Sequence, residues 1–66
     1  MLGTVTKYFK KHHGKKSYGF IAGYDGEEYY FNAKSLKGDI EEGCEVIFRR
    51  GLNNGGYYAS NVTRNS

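Results

Sequence analysis

Two short stretches of the chain carry side chains suited to binding at alternate positions: Lys16, Tyr18 and Phe20 in the first, Tyr30 and Asn32 in the second. On an extended backbone, alternate side chains share one face. Rings in such a row stack on flat partners while an ammonium group among them neutralises an anion, a combination suited to unpaired bases joined by phosphate. Just ahead lies a basic run, Lys10, Lys11, His12, His13 and Lys15. Adjacent histidines on a strand or loop do not converge on a metal, and neither a cysteine nor a carboxylate lies near them in sequence, so no metal or other cofactor is expected. Two readings of the run stay open: a loop that grips phosphate, or a solvated hairpin tip. Under the first, histidines titrating near about pH 6.5 would tighten binding in mild acid. Catalysis is not expected: no nucleophile adjoins a base, no carboxylates pair in an apolar setting, and no glycine-rich loop opens a helix.

Strands must hold these residues. Turn signals recur at His13-Gly14-Lys15, Asp25-Gly26, Lys37-Gly38-Asp39, Glu42-Gly43 and Asn53-Asn54-Gly55-Gly56. Asp-Gly and Asn-Gly favour tight hairpins because both residues tolerate positive φ. Between the turns, β-branched and aromatic runs near 3–9, 16–23, 27–32, 44–50 and 56–63 predict five strands, with one helical turn at most near residues 33–36. Sixty-six residues make one small domain, and a single cysteine, Cys44, staples nothing, which fits a reducing compartment. An all-β, five-stranded antiparallel barrel is an economical solution at this size.

Alternation sorts the two faces. Ile21, Tyr29 and Phe31 are assigned inward with Val5, Leu36, Val46, Phe48, Ala59 and Val62; Lys16, Tyr18, Phe20, Tyr30 and Asn32 are assigned to solvent. The alternative puts Tyr18 and Phe20 in the core. Of Tyr57 and Tyr58, one points in and one out, and Tyr57 is taken as the one bordering the binding face. Charge is uneven along the chain: +5 over residues 1–24, −5 over 25–48 and +3 over 49–66. If the end segments lie side by side, one flank is basic and attracts phosphate.

Gly3-Thr4-Val5 with Tyr8-Phe9, then Lys16-Ser17-Tyr18-Gly19-Phe20-Ile21, resembles the opening of a cold-shock domain. The resemblance continues through Asp25-Gly26, Glu28-Tyr29-Tyr30-Phe31-Asn32, Glu42-Gly43 with Val46-Ile47-Phe48, and Ala59-Ser60-Asn61-Val62, in order over essentially the whole chain. It implies an OB-fold barrel that binds single-stranded RNA and DNA and acts as an RNA chaperone, keeping transcripts unpaired. Tyr18 and Phe20 stand where the family has its first stacking rings, Tyr30 where it has the leading ring of its second motif, and Lys16 where it has a basic residue.

Several positions depart from the pattern. Lys7 stands in the place of the family's stacking Trp, with Tyr8 beside it, and a one-residue bulge would let Tyr8 take that role. Asn32 replaces a His, Ala33 a Phe and Ser17 a Gly, and the first loop is longer by about four residues than the family's. The expected partner is single-stranded nucleic acid, contacted by Lys7, Tyr8, Lys16, Tyr18, Phe20, Tyr30, Asn32 and Tyr57. No run approaches the roughly 18 apolar residues of a membrane span, so no membrane is expected, and the protein is expected to be a cytoplasmic monomer. The rival reading is a small SH3-like module whose aromatic groove binds peptides.

Overall fold

The computed structural model describes residues 1–10 and 17–65. Among these residues six strands form in chain order: β1 (Leu2–Phe9), β2 (Tyr18–Gly23), β3 (Glu28–Asn32), β4 (Leu36–Lys37), β5 (Glu45–Asn53) and β6 (Gly56–Arg64). A single 3₁₀ turn, Ala33–Ser35, separates β3 from β4, where one helical turn is expected. The sheet runs β3-β2-β1-β5-β6-β4 and closes on itself by pairing β3 with β6. The result is an all-β, OB-like barrel of five strands with the two-residue β4 added at the edge. Among the described residues, no helix is long and apolar enough to cross a membrane.

The expected purely antiparallel pairing gives way at the closure. Strands β1, β2, β3, β5 and β6 alternate in direction around the ring, and a ring with an odd number of members cannot alternate throughout. The closing pair, β3 with β6, is therefore parallel, as is the short β4 beside β6.

The core is Val5, Ile21, Tyr29, Phe31, Ile40, Val46, Phe48, Ala59 and Val62, each at most 3% exposed. Leu36, expected among them, is half-buried against this cluster, as are Tyr8 and Cys44. Ile40 takes the inner place from a position outside any strand. Tyr29 buries its ring and donates its hydroxyl to Asp25, whose carboxylate also accepts the Glu27 N–H at 3.1 Å and meets Arg50 Nη1 at 3.2 Å. The Tyr29 hydroxyl, the Glu27 amide and Arg50 together hold the Asp25 carboxyl below the ordinary carboxylate range. Burial, reinforced by the bond to Asp25, pushes the Tyr29 hydroxyl above its usual value.

Two irregularities shift the phase of the strands. Between β1 and β2 the register breaks at Val5/Lys7, leaving Thr6 as the extra residue. Between β5 and β6 it breaks at Ile47/Arg49, and on the opposing strand Asn61 adopts φ 50°. Asn is among the few side chains that tolerate this left-handed backbone, which suits it to the leading position of a bulge. Val62 thereby turns inward, where it is fully buried.

Candidate functional site

The bulge at Thr6 decides what β1 contributes to the outer surface. Counting by twos from inward-facing Val5 would bury Lys7; the extra residue reverses the phase, so Lys7 and Phe9 are exposed and Tyr8 turns in. Cross-strand pairing then lines up two outer rows. One runs Phe9, Tyr18, Asn32 across β1, β2 and β3; the other runs Lys7, Phe20, Tyr30 and, through the parallel closure, on to Tyr58 of β6 and Gly51 of β5. The matching inner row is Tyr8, Gly19 and Phe31. A Cβ at Gly19 would collide with the Phe31 ring and the Lys7 carbonyl.

Four outer rings form one cluster. Tyr18 lies 5.2 Å from Phe9, 6.2 Å from Phe20 and 6.0 Å from Tyr30, with Phe20 and Tyr30 also 6.0 Å apart. These spacings are those of stacked and edge-to-face pairs. Phe9 and Tyr30 stay 41% and 43% exposed, whereas Tyr18 and Phe20 are partly covered. The alternative that placed Tyr18 and Phe20 in the core is set aside: both lie outside it.

Two expected positions move. Tyr8 sits on the inner side, its ring edge-to-face with buried Phe31 at 5.5 Å, and Phe9 occupies the outer place beside Tyr18. Tyr57 shares the face of inward Ala59 and lies 5.5 Å from Tyr29, yet stays 44% exposed at the barrel's rim, while half-buried Tyr58 is the residue paired with Tyr30 on the outer row. Sequence carried the second signal: Ala59 reads as inward, and Tyr57, two residues before it, shares its face. Tyr58 lies back over Gly51, where any Cβ would collide with its ring.

Among the described residues, two cations are paired with acids. Lys10 pairs with Glu41 at 3.3 Å and stands 5.4 Å above the Tyr8 ring, and the Tyr8 N–H donates to Glu42 Oε2 at 2.9 Å. Both partners of that ion pair are well exposed, so it costs little to separate. Arg50 is drawn to Asp25 at the far end of the barrel. Of the cations in no ion pair among the described residues, Lys7 stands in the ring rows and Arg49 is exposed on β5 opposite Ser60, while Lys34, Lys37 and Arg64 are exposed elsewhere. Acids occupy the other half of the outer surface, where Glu28, Ala22, Thr4 and Glu45 pair across the strands. Lys11, His12, His13, Lys15 and Lys16 lie outside the described residues. Among the described residues, no group of histidines, cysteines and carboxylates could hold a metal.

The chain matches no protein-family model and no curated protein.

Proposed function

We propose that the outer ring face binds single-stranded RNA or DNA, and that the protein works as an RNA chaperone of the cold-shock type, a cytoplasmic monomer that keeps transcripts unpaired. The observation that carries the reading is the cluster of Phe9, Tyr18, Phe20 and Tyr30 on one side of the barrel with Lys7 in the same rows. Outer rings at this spacing, two of them exposed and two half-buried, present apolar surface to successive bases, and each stacked base contributes about 1–3 kcal/mol. Duplex DNA hides those base faces, which makes the reading specific to unpaired strands. The peptide-binding alternative is less well served, because grooves for basic or proline-rich peptides surround their rings with acids, and here the flanking outer positions are Lys7 and Arg49.

Titration of a labelled oligothymidine or oligouridine, against a duplex of equal length, tests the proposal. Saturable binding of the single strand with no comparable response to the duplex is expected. A folded sample indifferent to both single strands would refute it.

A further inference from the structure

Next to the ring rows, the surface dips between β3 and β6 into a cleft of about 220 Å³. Tyr30 and Tyr58 stand on its walls, and Asn32, Ser35, Asn53 and Ser60 line it with polar groups. A water molecule takes up about 30 Å³ of liquid, so the cleft holds something much larger than one solvent molecule. A flat heterocycle suits its ring walls.

The ring face alone is indifferent to sequence, since every base has a π-face. The cleft is different in kind, because it offers amides and hydroxyls, groups that both donate and accept. One of them is unsatisfied: Asn32 Oδ1 is shut away from water and accepts no hydrogen bond among the described residues. A buried acceptor without a donor costs free energy. Swinging the amide toward the cleft relieves that cost wherever the cleft's occupant, solvent or ligand, supplies a donor. Unpaired bases do so, each displaying an N–H beside an acceptor along one edge, the complement of a carboxamide.

We propose that this cleft takes one unpaired nucleobase edge-on, with Asn32 reading its N–H, so that the protein discriminates at one position within an otherwise unselected strand. This inference rests on the single-strand reading above. The two rows supply affinity by stacking; the cleft supplies preference by hydrogen bonding. Tyr58, which builds the far wall, reaches its place because the closure brings β6 beside β3 and because Gly51 beneath it has no side chain.

A seven-residue oligothymidine carrying one 3-methylthymidine, moved through each position in turn, separates edge from face: the methyl group removes the N3–H and leaves the stacking surface. In the unaltered protein, methylation at one position is expected to weaken binding about five-fold or more, the loss of one hydrogen bond, with little effect elsewhere. In Asn32→Ala that sensitivity falls to near one-fold. Ser60→Ala, which removes only a hydroxyl from the cleft wall, narrows it and serves as the second variant if Asn32→Ala does not fold. Binding that is equally insensitive to methylation at every position overturns the cleft while leaving the stacking face standing, and so does a sensitivity unchanged in the variants. Failure of the unaltered protein to bind the unmethylated oligomer overturns the single-strand reading, and the cleft with it.

Discussion

Phe9 and Tyr8 are neighbours in sequence, yet the bulge at Thr6 gives them opposite duties, and their alanine variants should separate cleanly. Phe9 is 41% exposed and rests against Tyr18, so Phe9→Ala removes one ring pair from the folded state, about 0.5–1.5 kcal/mol. If a base stacks there, the same change weakens single-strand binding by about 1–3 kcal/mol, or roughly five- to 150-fold. Tyr8 packs edge-on against buried Phe31 and is half-covered. Truncating a fully buried aromatic costs about 3–5 kcal/mol, so about 2 kcal/mol is expected for Tyr8→Ala, a fall in Tm of about 10 °C in a domain of this size. Binding measured well below that Tm should change by less than about three-fold, since no outer ring is lost. Thermal unfolding followed by circular dichroism reports the first quantity; quenching of tyrosine emission, unobscured in a chain with seven tyrosines and no tryptophan, reports the second. A Tyr8→Ala protein that keeps its Tm and loses as much affinity as Phe9→Ala would refute the reasoning, because it would mean that β1 keeps its phase through Thr6.

Lys7→Glu should weaken oligonucleotide binding and flatten its salt dependence without moving Tm, checked by titration at several ionic strengths. With about four phosphates neutralised, the slope is near −2.8 on logarithmic axes, about fifty-fold between 50 and 200 mM salt, and the variant's slope should be shallower by about 0.7 for each phosphate it no longer neutralises. Acid lability should follow Asp25 and Glu45. The Tyr29 hydroxyl lowers the first and the Tyr24 hydroxyl, with Asn65, the second, so each contributes stability above the ordinary carboxylate range and loses it as pH falls through its lower folded value. Asp25→Asn should therefore be less stable at neutral pH and flatter in acid, as urea midpoints from pH 7 down to 2 would show. Gly51→Ala should push the Tyr58 ring off its seat, lowering Tm and moving the Tyr58 and Tyr30 resonances together.

Much of this arrangement is legible in alternation alone. The inner set of Ile21, Tyr29 and Phe31 and the outer set of Tyr18, Phe20 and Tyr30 follow from period two, because β2 and β3 pair without interruption from Tyr18–Asn32 to Ala22–Glu28. Alternation fails wherever the phase is reset. Thr6 carries no distinctive residue signal, so the exchange of Tyr8 for Phe9 could not be read locally, whereas Asn61 is at least a residue type that accepts the backbone its bulge requires. Ile40 escaped because it fills the core from a connection rather than a strand. The parallel closure follows from counting strands, and it alone puts Tyr58 beside Tyr30.

That closure also bears on how a strand could lie on the proposed face. In an open antiparallel sheet the outer row through Lys7, Phe20 and Tyr30 would end at β3; pairing with β6 carries it on to Tyr58, and Arg49 of β5 stands exposed further along that hairpin, opposite Ser60. Along the strands, away from Lys10, the surface changes sign instead, reaching Glu28 and Glu45 within a few residues of the rings. A polyanion is repelled there at short range and attracted across the strands, between one cation on β1 and another on β5. On the proposed reading the bound chain therefore crosses the strands along both rows, passing Phe9 and Lys7 on β1, Tyr18 and Phe20 on β2, Tyr30 on β3 and Tyr58 on β6. Charge reversal at Glu28, in Glu28→Lys, would widen the favourable surface and strengthen binding at low salt; unchanged affinity there would argue that the acidic half lies beyond the reach of the bound strand.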